Sequence, residues 1–270
     1  MGKSLLDERR QQRRILATLG VWIVDHLMGC LAAMQFLTIA PALVRRPFAD
    51  AELGRAVGYF PLIGLLIGGF LVGIDRLLAL FLPPGMAVAL VLAAWVLCTG
   101  ALHMDGFLDS CDGLFGGRTP EDRLRILRDE RVGAFAVIGG ILLLLVKFQG
   151  LNAIPHRSAA LCLAPVTGRW GMAVAVAAFP YARAEGLGRA MKDHAGWSEA
   201  LRASAIAIAA ALFAAGPLGL IVLLLSGALM FLVARFVLTR LPGLTGDIYG
   251  ALCELLEVLV LLGFAASDRG

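Results

Sequence analysis

The feature that most constrains this chain is a series of apolar runs, each long enough to cross a bilayer as a helix, which takes about 20 residues. They cover 57–82, 86–104, 134–152, 158–180, 203–238 and 248–265, and the run 203–238 is long enough for two helices broken at Gly216-Pro217. Backbone that enters hydrocarbon has to satisfy its own N–H and C=O groups, so runs of this kind fold as helices. The expected fold class is all-α, a polytopic integral membrane helix bundle with about seven spanning helices. Composition agrees: 59% of the residues are hydrophobic and 16% charged, with a mean hydropathy of +0.83, whereas soluble domains carry about 25% charged residues.

Loop charge sets the orientation. Arg45, Arg46 and Arg55 fall in loop 45–56, Arg118, Arg123, Arg125, Arg128 and Arg131 in loop 105–133, and Arg183, Arg189, Lys192 and Arg202 in loop 181–202. All three loops belong inside by the positive-inside rule, which also accounts for the net charge of +4. The links at Pro83-Pro84-Gly85, 153–157 and Gly216-Pro217 are short and nearly uncharged, as outside turns are. Residues 27–44 are apolar but basic on both flanks (Arg9, Arg10, Arg13 and Arg14 before, Arg45 and Arg46 after), so a single crossing would leave one basic flank outside. Residues 1–44 are therefore read as an N-terminal interfacial helix followed by a re-entrant or membrane-surface segment, and 45–270 as a single transmembrane domain. The N-terminal KSLLDERRQQRR has no signal-peptide pattern. Five cysteines without a C-x-x-C pair read as small core residues. In the run 57–82, Gly64-x-x-x-Gly68 and Gly69-x-x-x-Gly73 have the spacing of close helix packing, and Asp75 and Arg76 read as structural.

Against this apolar background, TGALHMDGFLDSCDGLFGG at 99–117 brings three carboxylates within eight residues. On a helix, Asp105, Asp109 and Asp112 stand at about 0°, 40° and −20° around the axis. Gly106 and Gly113 form a second stripe beside them, leaving bare backbone where a large polar ligand or another helix can approach. Like charges at i, i+4 repel, and more so near a low-dielectric region, so a cation is the natural compensator. Hard oxygen donors with no paired Cys or His suit Mg²⁺ or Mn²⁺ rather than zinc. A solvated acidic helix face is the alternative, set against the rule that ionisable groups at membrane depth are usually functional.

Further along, Thr119-Pro120-Glu121-Asp122 opens a short helix expected to run to about Glu130. In it Arg125 and Asp129 form either a surface ion pair or, with Arg128 and Arg131, part of a phosphate site. Arg169 interrupts a predicted span too far from either end to snorkel, which makes it a functional candidate. His103, alone at a helix end, fits a structural hydrogen bond. Glu254 and Glu257 fit polar packing, and Asp247 lies in an inside loop just before the last span.

These residues resemble the cobalamin synthase family of adenosylcobinamide-GDP ribazoletransferases. The likeness rests on G-A-L-H-M-D-G-F-L-D-S-C-D-G at 100–113, R-D-E-R-V-G-A-F at 128–135, FLTIAP at 36–41, YFPLIGLLIG at 59–68 and T-G-D-I-Y-G at 245–250. The resemblance implies a magnesium-dependent phosphotransferase of nucleotide loop assembly, so that 45–270 would be the catalytic domain. The 5′-hydroxyl of α-ribazole, or of its 5′-phosphate, would attack the phosphorus attached to cobinamide of adenosylcobinamide-GDP, giving adenosylcobalamin or its 5′-phosphate and releasing GMP. It implies metal binding by Asp105, Asp109 and Asp112, and substrate binding by His103, Arg128, Arg131, Arg169, Gly106 and Gly113. Asp129 or Asp247 would serve a second metal or the attacking hydroxyl. The enzyme would be a multi-pass protein of the cell inner (cytoplasmic) membrane, its acidic site on the cytosolic face, with a homo-oligomer allowed and no nucleic-acid partner. CDP-alcohol phosphotransferases and membrane prenyltransferases also carry spaced aspartates, with different spacing and flanks. An ion-coupled transporter would place its acids near the midplane and show repeat symmetry, and no repeat is present.

Overall fold

The computed structural model describes residue 20 and residues 22–267. Among them the chain forms eleven helices: α1 (Trp22–Leu37), α2 (Asp50–Val57), α3 (Phe60–Leu78), α4 (Pro84–Cys98), α5 (Leu102–Gly116), α6 (Pro120–Ile126), α7 (Ala134–Ala153), α8 (Ser158–Ala178), α9 (Leu187–His194), α10 (Trp197–Leu238) and α11 (Gly246–Ser267). The extended structure among the described residues is a single parallel bridge, Tyr181 to Leu244. By length and composition α3, α7, α8, α10 and α11 can each cross a membrane, and α4 with α5 makes a sixth, bent by 87°.

α10 is two arms. Gly216 adopts φ 54°, ψ −131°, a conformation open to glycine and strained for other residues, and Pro217 follows. Beyond it the chain doubles back: a Cβ on Gly219 would stand 2.3 Å from the carbonyl oxygen of Ala211, and Ser204 and Gly227 both reach Trp170. The two arms correspond to the apolar run 203–238, broken at Gly216-Pro217 as its sequence predicts.

α8 lies at the centre, with Leu161, Leu163, Ala164, Val166, Ala173 and Ala175 fully buried. In lipid, helix association depends on close packing and polar contacts, since lipid tails are as apolar as leucine. Gly64 and Gly68 meet this need. A Cβ on Gly64 would lie 2.5 Å from the carbonyl oxygen of Pro165, and one on Gly68 2.7 Å from Cα of Cys162. Gly69 and Gly73 face open space, so only the first glycine motif closes an interface.

The apolar run 86–104 does not continue as one helix. α4 ends in a Schellman arrangement: the N–H of Gly100 donates to Leu97 O and that of Ala101 to Val96 O, both at 2.9 Å. Gly100 (φ 60°) and Ala101 (φ 57°) are both left-handed, which turns α5 away from α4. The N–H of Ile39 donates to Cys98 O at 3.0 Å, so the segment after α1 closes the same helix end. α1 is shorter than a span and buries Ala32, Ala33 and Leu37. The interfacial helix expected ahead of it lies largely outside the described residues.

Candidate active site

α5 carries the acidic stripe and crosses α11 at glycines on both sides. A Cβ on Gly106 would stand 2.9 Å from the carbonyl oxygen of Asp247 and 3.0 Å from its Cα, and one on Gly250 3.1 Å from the carbonyl oxygen of His103. The bare backbone at Gly106 thus admits a helix, and the contact draws Asp247 to the stripe from more than a hundred residues away. Asp105, Asp109 and Asp247 lie close enough for their charges to act on one another, with Arg183 among them.

Asp112, expected from the sequence as a metal ligand, has backbone partners in the fold. Its Oδ2 accepts the N–H of Gly133 at 2.6 Å and its Oδ1 that of Ala136 at 2.9 Å. Each oxygen thus takes one N–H at the start of α7, where backbone N–H groups have no intrahelical partner and the helix dipole favours an anion. Gly113 likewise packs on protein, under the side chain of Leu127, and is not open to a ligand.

The bridge between Tyr181 and Leu244 fixes the loop after α8 beside the start of α11: Ala182 N donates to Leu244 O and Leu244 N to Pro180 O, both at 2.8 Å. This sets Arg183 against Asp247, with Nη2 donating to Oδ2, and a second bond runs from Nη2 to Leu127 O at 3.2 Å. Thr245, fully buried, also hydrogen-bonds Asp247 Oδ2, at 3.2 Å. Asp105, His103, Gly106, Arg183, Asp247 and Tyr249 line one cavity of about 270 Å³. That is below the 300–1,000 Å³ usual for a small-molecule site, so it can house a part of a large substrate. Arg183 also lines an open pocket of about 850 Å³ together with Arg125, Arg128, Asp129 and Arg131.

A family model described as cobalamin-5-phosphate synthase matches residues 29–265. The chain belongs to that family. A protein of Pseudomonas savastanoi pv. phaseolicola named adenosylcobinamide-GDP ribazoletransferase is 40% identical over 236 residues, covering 86% of this chain and 97% of the relative. Proteins of the same name from Acetivibrio thermocellus and Ralstonia pickettii are each 35% identical, covering 89% and 90% of this chain and 98% and 96% of theirs. No solved structure matches. Like the relatives so named, this member of the cobalamin synthase family is a transferase of cobalamin synthesis built on a multi-pass helical bundle.

The family member's second polar centre lies beneath the cavity. Arg169 is 0% exposed. It donates through Nη1 to Glu257 Oε1 and to Pro165 O at 3.3 Å, and its Nη2 faces His103 Nδ1 at 3.3 Å. Lys147 donates to Glu257 Oε2 at 2.6 Å and to Glu254 Oε2, and sits 4.7 Å over the Trp95 ring. Arg169 is thus enclosed with a carboxylate partner and does not line the cavity, where the sequence reading had set it on phosphate. The two glutamates read as polar packing hold the charges of Arg169 and Lys147.

α6 ends at Ile126, four residues earlier than expected, so Arg125 and Asp129 do not share a helix face. Arg125 pairs with Asp122 at 3.6 Å, and Asp129 Oδ1 accepts the N–H of Arg131 at 3.1 Å. Sequence reasoning counted Arg183 only as a loop charge and passed over Lys147. An isolated lysine in the apolar LLLLVKFQG was the available signal, by the same rule that singled out Arg169. For Arg183 no local signal existed, because its partner lies 64 residues away.

Proposed function

We propose that the protein joins adenosylcobinamide-GDP to α-ribazole, or to α-ribazole 5′-phosphate, releasing GMP in a magnesium-dependent reaction at the cytoplasmic face of the inner membrane. The observation that carries this reading is the cavity shared by Asp105, Asp247 and Arg183, joined through Arg183 to the arginine-lined pocket, in a chain whose relatives bear that transferase name. The arginine-rich loops supply Arg183 to the cavity and Arg125, Arg128 and Arg131 to the pocket joined to it, which by the positive-inside rule favours a cytoplasmic site.

The donor set suits magnesium. Asp105 and Asp109 are hard oxygen ligands with no hydrogen-bond partner among the described residues. Among the described residues no three His, Cys, Asp or Glu gather closely enough to hold a metal by themselves. Mg²⁺ is typically held by one or two carboxylates together with substrate phosphate oxygens, and needs no such cage. Bound by Asp105 and Asp109, it would neutralise charge on the diphosphate.

The chain's own residues do the rest. Arg183 turns from Asp247 to the diphosphate, which a guanidinium binds bidentately, and Arg128 meets the outer phosphate in the adjoining pocket. A 5′-hydroxyl cannot attack when the acceptor is the 5′-phosphate, because that oxygen is already esterified. The nucleophile common to both acceptors is a secondary hydroxyl of the ribose. Its oxygen bonds to the phosphorus carrying cobinamide, the bond from that phosphorus to the bridging oxygen breaks, and the electron pair leaves with GMP. Asp247, released by Arg183, accepts the hydroxyl proton. Asp129 holds the loop of Arg131 by accepting its backbone N–H.

The test incubates the purified protein in detergent with adenosylcobinamide-GDP, α-ribazole and Mg²⁺. GMP should appear in step with the joined corrinoid, stop on chelation and return with added Mg²⁺. Folded protein that yields no GMP overturns the reading, and GMP release indifferent to chelation removes the metal from it.

A further inference from the structure

His103 occupies an unusual position. It is 1% exposed yet lines the cavity that holds Asp105, Arg183 and Asp247, and its Nε2 is buried with no partner among the described residues. Its other nitrogen is not free. Nδ1 stands 3.3 Å from Arg169 Nη2, and a guanidinium has five donors and no acceptor. Nδ1 therefore has to offer a lone pair. A neutral imidazole that accepts at Nδ1 carries its proton on Nε2. An imidazolium would set two cations face to face without an acceptor between them.

Arg169 cannot turn away. Glu257 Oε1 and Pro165 O hold it from one side, Glu257 is fixed through its second oxygen by Lys147, and Lys147 is held by Glu254 and the face of Trp95. These groups come from α4, α7, α8 and α11 and converge on one imidazole of α5. Two cations and two carboxylates cancel in charge, and burying them is expensive. A tetrad needed only for packing would be served as well by apolar side chains.

We propose that Arg169, Glu257 and Lys147 are positioning residues that fix His103 as the neutral Nε2–H tautomer, and that this N–H donates to a phosphate oxygen of substrate in the cavity. The inference rests on the reading of the cavity as a diphosphate site. An uncharged donor orients such an oxygen without competing with magnesium for it, and does so where water is excluded.

The tautomer is read without turnover. Protein labelled with ¹⁵N-histidine has four such residues, and the His103 signals are those lost in His103→Gln. The wild type should show a neutral ring protonated at Nε2, and the GDP–Mg²⁺ complex, used as probe, should shift Nε2 far more than Nδ1. Glu257→Gln, which keeps an acceptor oxygen for Arg169, should retain that tautomer, and Arg169→Met should lose it. A ring protonated at Nδ1 or at both nitrogens, or an Nε2 signal indifferent to GDP–Mg²⁺, overturns the proposal. Kinetics give a second reading. A glutamine amide nitrogen reaches the place of Nε2 and an asparagine one that of Nδ1, so His103→Asn should lower kcat about 100-fold and His103→Gln far less. Equal losses in the two variants overturn the donor role. Wild-type protein that makes no GMP but keeps the Nε2–H ring would sink the proposed reaction and leave the tautomer standing.

Discussion

Replacing Asp112 by alanine separates a structural carboxylate from the ones proposed to bind metal. The change removes two acceptors at once, those serving Gly133 N–H at 2.6 Å and Ala136 N–H at 2.9 Å. Hydrogen bonds to a charged group contribute about 1.5–3 kcal/mol each, whereas loss of a helix cap costs about 1 and at most about 2 kcal/mol. The carboxylate is half-buried, so water can reach part of what the truncation exposes, and the loss falls at about 2 kcal/mol. For a chain of this size each kcal/mol moves Tm by roughly 2–4 °C, giving a fall of about 4–8 °C. Asp112→Asn keeps one neutral acceptor and should lose about half as much. The assay is thermal unfolding in detergent followed by near-UV circular dichroism, run beside GMP release on the same preparations. Asp105→Asn, the control, should abolish GMP release and leave Tm within about 1 °C, since its carboxylate makes no hydrogen bond among the described residues that Asn would lose. If Asp112→Ala kept the wild-type Tm and lost its magnesium-dependent activity, the capping argument would be refuted and Asp112 would rejoin the metal-binding acids.

Gly106→Val should push α5 from α11, because a Cβ there would meet Asp247 backbone at 2.9–3.0 Å. Overpacking costs about 1–3 kcal/mol, so Tm should fall by several degrees with GMP release lost, and a variant unchanged in both would contradict the close crossing. Glu52 accepts two bonds from Arg46, at 2.7 and 2.8 Å, and one from Ala49 N–H at 2.8 Å. The arginine bond comes first in lowering its carboxyl from 4.5 to about 2. A depressed folded-state pKa means stability that is present above pH 4.5 and lost as pH falls toward 2. Wild type and Glu52→Gln should therefore differ most in Tm at pH 7, less at pH 3, and converge only as pH falls through about 2. An offset constant with pH would take the ion pair out of the explanation.

The helices were legible because the bilayer imposes one length and one composition on each of them, and even the reversal at Gly216-Pro217 was written in residue types that cannot continue a helix. The break before α5 was harder to read. Its cause is the pair of left-handed residues Gly100 and Ala101, and an alanine gives no sign of that conformation. The acidic stripe was visible as a spacing, but spacing does not say what each carboxylate meets. Asp109 and Asp112 look alike in sequence, yet only Asp112 finds the start of α7, 21 and 24 residues downstream. Arg169 announced itself as a cation out of place. Its pairing with Glu257 spans 88 residues and depends on two helices packing in a given register, which no local pattern encodes.

The buried tetrad also sets an order on biogenesis. Lys147 and Arg169 enter with α7 and α8, but both carboxylates that neutralise them, Glu254 and Glu257, arrive on the final helix. Inserting a lone Lys or Arg at the centre of a span costs about 2.5–3.5 kcal/mol on translocon scales. A nascent chain halted before α11 therefore holds two uncompensated cations among apolar helices, and only the arrival of α11 cancels them. Charge balance among α7, α8 and α11 is therefore a property of the three helices together, and none of them carries it alone.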